Sequence, residues 1–227
     1  MNIRIVLVLL TILVFAVGFG TLNYMADQEL NLMQAYEEGN IEIVQKTDAG
    51  VVPHELILFN NGERPIKVER GYTLVSDASQ DMVIAREEII APGKNNTIMA
   101  YSLTTEANVE QDTVMAVSKK TPKLIQDLID NTNPQNPAEA LKTQLKIWIL
   151  TSDGEVNIYQ GEAQSLSREQ RISFSELNNN ITTARIELMA QFNLTEEEIT
   201  NMSANIELMR SQQSWWDSIL EFFRGMN

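Results

Sequence analysis

Apolar positions fall into three textures along this chain. Residues 5–22 contain no charge, and Arg4 precedes them. Eighteen residues at 1.5 Å each come close to the roughly 30 Å of a bilayer core, so the run predicts a transmembrane helix. Leu22, Met25, Leu30, Met33 and Tyr36 continue at near-helical spacing to Gly39, a natural stop, which predicts a stalk. The alternative for the same run is a secretory signal peptide, with Ala16-Val17-Gly18 as the small residues before a cleavage point.

After Gly39 the pattern shortens. Strands are expected over 41–45, 55–60, 65–69 with 73–76, 82–85 with 89–91, 97–104 and 113–117. Between them lie Asn60-Asn61-Gly62, Gly71, Ser79-Gln80 and Pro92-Gly93-Lys94, residues that favour turns. Short strands at this spacing predict an antiparallel β-sandwich of the immunoglobulin-like type.

From Lys119 the apolar positions recur at helical spacing. Thr121-Pro122 and Asn136-Pro137 each place a capping residue before a proline, predicting helix starts. The second of these helices ends at Asp153-Gly154 and hands over to a strand at 156–159. Ser173 with Glu176, and Thr195 with Glu198, are capping boxes that start two further helices, about 174–191 and 196–224. In the latter, Ile199, Met202, Ile206, Met209, Gln213, Trp216, Leu220 and Phe223 alternate spacings of three and four. Such a seam packs either on its own preceding helix, through Ile181, Leu188 and Phe192, or on a second chain.

The fold expected is therefore α+β: an N-terminal transmembrane helix, a sandwich with helical additions, and a C-terminal α-helical hairpin. The segments are 1–39 for anchor and stalk, 40–118 for the sandwich, 119–172 for a helical addition with a short strand, and 173–227 for the hairpin.

Charge gives the orientation. The 227 residues carry a net charge of -14, and beyond Arg4 there are 16 basic against 31 acidic residues. With the basic end retained inside, the amino terminus is cytoplasmic and the bulk of the chain extracytoplasmic. Cleavage at the signal-peptide point would instead make the protein secreted. The acidic balance argues against a nucleic-acid partner, whose phosphates need clustered Lys and Arg. Four Asn-x-Ser/Thr sequons begin at Asn95, Asn180, Asn193 and Asn201.

Candidate chemistry is sparse. Without cysteine there is no thiolate nucleophile and no Cys-built metal site. His54 is the only imidazole and is read as a surface or strand-end residue. Glu87 and Glu88 are adjacent strand positions that point to opposite faces. Asp127, Asp130, Asn131, Asn133 and Asn136 are rich in oxygen but lack the central Gly and closing Glu of a calcium loop. No catalytic residue, metal or cofactor is assigned. The most unusual stretch is the last, where Trp215, Trp216, Ile219, Leu220, Phe222 and Phe223 form a wide apolar arc opposite Asp217, Glu221 and Arg224. These six are the expected contacts with a partner, a second copy or a membrane surface.

Further short motifs carry a resemblance: 58–62 (Leu-Phe-Asn-Asn-Gly), 80–85 (Gln-Asp-Met-Val-Ile-Ala), 90–93 (Ile-Ala-Pro-Gly), 98–103 (Ile-Met-Ala-Tyr-Ser-Leu) and Gln144 with Ile147-Trp148. Over about residues 55–150 the chain resembles secreted immunoglobulin-like and thioester-domain modules of microbial surface proteins. In those modules an internal Cys–Gln bond captures amines. Here Ser102 occupies the cysteine position, which implies the scaffold without the reaction. The reading is a membrane-anchored extracytoplasmic binding or structural component of the cell envelope, not an enzyme. A pilin-like assembly subunit and a secreted enzyme are the alternatives.

Overall fold

The computed structural model describes residues 29–106 and 108–202. The apolar run 5–22 and the aromatic end 215–223 lie outside them. Among the described residues no helix is long and apolar enough to cross a membrane.

The architecture is α+β. Among the described residues the strands are β1 (Leu30–Asn31), β2 (Ile41–Gln45), β3 (His54–Asn60), β4 (Ile66–Val68), β5 (Tyr72–Val75), β6 (Met82–Ile84), β7 (Glu88–Ile90), β8 (Asn95–Ser102) and β9 (Ala116–Lys120). Six of them form a sheet in the order β2-β3-β8-β6-β5-β9, and every pair in it is antiparallel. A second sheet has the order β1-β4-β7, with β1 parallel to β4. The chain just before β9 returns to β2: Val44 bridges Val114, and Met115 N–H donates to Ile43 O at 2.9 Å. The outer edge of β2 is thereby partly covered.

Alternation along the strands decides the layers. In β3, Leu56 and Leu58 are buried with Ile43 of β2, Ile98 of β8, and Ile66, Val68 and Ile90 of the small sheet, which makes one core. β6 is buried on both faces: Met82 and Ile84 join that core, while Val83 joins Tyr101, Leu103 and the helices in a second. The large sheet is therefore sandwiched between the small sheet and a helical layer.

That layer contains α2 (Lys123–Asp130), α3 (Pro137–Thr151), α4 (Gly161–Glu169), α5 (Phe174–Phe192) and α6 (Glu196–Thr200); α1 (Leu32–Glu37) lies on the other side, in the first core. The starts follow the caps. Asn136 Oδ1 accepts from Ala138 N–H at 3.1 Å, Ser173 Oγ from Glu176 N–H at 3.1 Å, and Thr195 and Glu198 bond reciprocally. α5 ends on Asn193 in the left-handed conformation, φ 53°.

Three sequence expectations need correction. A continuous stalk to Gly39 is not observed for the described part: Leu30 and Asn31 pair with β4, and a new helix starts on the Asn31–Gln34 capping box. Leu30, Leu32 and Ala35 are core residues, so this stretch belongs to the body. Residues 156–159 form no strand. Asn157 Oδ1 accepts from Tyr159 N–H at 3.0 Å, which closes a local turn in place of a ladder. Helix α4 falls where no helix was expected.

Candidate functional site

Two buried polar clusters join the large sheet to the helical layer. The first is at the end of β8. Gln144, Trp148 and Thr151 lie at i, i+4 and i+7 of α3, one stripe of the helix. Ser102 N–H donates to Gln144 Oε1 at 3.0 Å, and Gln144 Nε2 donates to Ser102 O at 2.7 Å. Trp148 Nε1–H donates to Ser102 Oγ at 3.1 Å, and Thr151 Oγ1 donates to Leu103 O. The strand's last peptide groups are thus satisfied by helix side chains as another strand would satisfy them. Ser102 and Gln144, the two positions that the resemblance singles out, are brought into contact. The serine hydroxyl is engaged by the indole.

The second cluster centres on His54, read as a surface or strand-end residue: it does begin β3, but it is fully buried rather than at the surface. Its partner is Glu162, in the first turn of α4, also 0 % exposed. Hydrogen-bond accounting places the protons. Thr47 Oγ1 accepts from Glu55 N–H at 3.1 Å and from Gln45 Nε2 at 3.0 Å, so its own proton is directed to His54 Nδ1 at 3.0 Å. The imidazole then carries its proton on Nε2, 3.0 Å from Glu162 Oε1 though off the line of a full hydrogen bond. Glu162 Oε1 also accepts from Gly50 N–H at 2.7 Å, and Oε2 from Val109 N–H at 3.1 Å. One carboxylate holds two loops and a strand.

Glycines permit the approach. Gly50 has φ 85° and lies against the backbone of Ser165; Gly161 has φ 53° and lies against Thr105 O. A Cβ at either would collide with main chain. Glu162 was not legible as a site residue. Its helix starts on Gln160, which makes no side-chain cap.

Thr47, His54 and Glu162 have the order of a hydroxyl–imidazole–carboxylate relay. The hydroxyl oxygen already accepts two hydrogen bonds, and three cavities of the described residues are lined by other side chains. The arrangement works as a clamp.

The oxygen-rich stretch is engaged locally. Asp127 pairs with Lys123 at 2.6 Å, Asp130 with Arg70 at 3.6 Å, Asn131 Nδ2 donates to Asp127 O, and Asn136 caps α3. Among the described residues no three His, Asp or Glu side chains converge to hold a metal ion. An open groove of about 710 Å³ lies beside β2, with Tyr36, Glu42, Asp77 and Val114 in its walls.

Trp215, Trp216, Ile219, Leu220, Phe222 and Phe223 lie outside the described residues, and the structure brings none of them to a site. Comparison with known protein families, characterised proteins and solved structures finds nothing that matches the chain.

Proposed function

We propose that this protein is a membrane-anchored, extracytoplasmic, non-catalytic component of the cell envelope that binds a partner or supports structure. Residues 5–22 anchor it, the two-sheet body stands outside as an immunoglobulin-like sandwich, and the aromatic end of a C-terminal helical hairpin supplies the contact surface. The observation that carries the reading is the uncharged run 5–22, preceded by Arg4 and followed by 16 basic and 31 acidic residues.

The body's chemistry supports a rigid display role. Its only histidine and the Ser102–Gln144 pair are engaged in joints between sheet and helices. Under this reading the kinship with thioester modules is one of scaffold, because a serine hydroxyl does not form the activated Cys–Gln bond.

Fractionation tests the anchor. The full chain is expected to stay in membranes through an alkaline wash, and a version lacking residues 5–22 to leave them. Full-length protein in the soluble fraction would overturn the proposal.

A further inference from the structure

We propose that the groove beside β2 binds an extended, basic segment of another protein, which adds to the large sheet as a strand along residues 41–43. One edge of β2 is paired with β3, and the other is only half covered. Gln45 N–H donates to Thr113 O at 2.9 Å, Asp112 N–H to Gln45 O at 2.8 Å, and Met115 N–H to Ile43 O at 2.9 Å. The covering chain then leaves β2, and Ala116 pairs with Val75 of β5. Backbone groups point to the same edge at every second residue, so Ile41 N–H and C=O and Ile43 N–H face the place the covering chain has left. Among the described residues no backbone bond outside the strand ladders takes them up. An edge left open in this way is a template for one more strand.

The walls identify the occupant. The groove of about 710 Å³ is lined by parts of 41–43, 75–78 and 113–116, and no Lys or Arg is among its lining residues. Glu42 and Asp77 are exposed there and enter no ion pair among the described residues. Val114, 60 % exposed, adds apolar surface. In a strand laid beside β2, the side chain level with Glu42 lies on the same face as that carboxylate, and its neighbours lie on the face of Ile41 and Ile43. The segment that fits therefore alternates Lys or Arg with apolar residues. A second copy is opposed by charge, since pairing edge to edge brings the same carboxylates together. The chain's own ends lack the charge: residues 1–28 carry one basic and one acidic residue, and 203–227 carry two and three.

The inference concerns the body alone, so it stands apart from the membrane anchor, which fractionation tests. The probe is a fluorescein-labelled heptapeptide of alternating Lys and Val, titrated by anisotropy into the full chain in detergent. Saturable binding is expected. Residues level with Ile41 and Ile43 turn their N–H groups to β2, so N-methylation of the valines should weaken binding at least about tenfold. The same change at the lysines, whose N–H groups point away, should weaken it far less. Glu42→Gln with Asp77→Asn, both at exposed positions, should cost about fivefold. No binding, equal binding of the valine-methylated peptide, or an unchanged affinity in the double variant overturns the proposal. A dimer of the chain that the peptide dissociates would give the groove to a second copy and overturn it as well.

Discussion

Replacing Glu162 with Gln removes the charge at the clamp with little change in shape. The carboxylate accepts Gly50 N–H and Val109 N–H on its two oxygens and faces His54 Nε2. Glutamine has one acceptor oxygen. If that oxygen stays with Gly50 and His54, its NH2 group points at Val109 N–H, donor against donor; turned over, it meets two donors instead of one. At least one buried N–H is left without an acceptor, which costs about 1–3 kcal/mol. With roughly 2–4 °C of melting temperature per kcal/mol for a domain this size, a cost near 2 kcal/mol lowers Tm by about 4–8 °C. Urea unfolding followed by circular dichroism measures the loss directly. His54→Gln in the same background should couple to it, the double variant losing less than the two singles together. A change below about 0.5 kcal/mol in Glu162→Gln, the range of neutral surface substitutions, would refute the clamp.

Gly50→Ala should destabilise by more than about 2 kcal/mol in the same assay, since a Cβ there meets the Ser165 backbone and the residue holds φ 85°. Burial pushes the Tyr101 phenol up to about 12, so this tyrosine should ionise last when phenolate absorbance is followed against pH. Because the folded value lies above the ordinary 10, the folded state loses stability as pH rises from 10 to 12, by about 3 kcal/mol over the interval. The hydrogen bond from Lys142, with the Lys142 and Lys146 charges beside it, holds the Glu187 carboxyl below its ordinary 4.5. Its contribution is complete above that value and is lost as pH falls below it through the folded value. Lys142→Met should therefore shrink the acid-side loss seen in urea midpoints, by under about 1 kcal/mol for so exposed a pair.

Local chemistry in the sequence located most elements. Turns at Asn61-Gly62 and Pro92-Gly93 separate strands as their residue types require, and the caps at Asn136, Ser173 and Thr195 start α3, α5 and α6. What escaped were features set by partners far along the chain. His54 is buried because α4 packs over it, and Gly50 meets Glu162 across 112 residues. No periodicity announces such a meeting. Helix α4 was missed because Gln160 gives no cap and Gly161 opens the helix at a positive φ. Residues 156–159 have a strand-like pattern, with Ile158 facing the core, but Asn157 closes a local turn. Of the joint at Ser102, helical spacing placed Trp148 on α3, and the indole bond from Trp148 to Ser102 was not legible.

Orientation of the body is the claim on which the function rests, and the cysteine-free chain allows it to be read in intact cells. Glu63 is exposed in the turn after β3, so Glu63→Cys presents one thiol on the body. A membrane-impermeant maleimide should label it in intact cells as fully as after lysis. Labelling only after lysis would put the body in the cytoplasm and contradict the account.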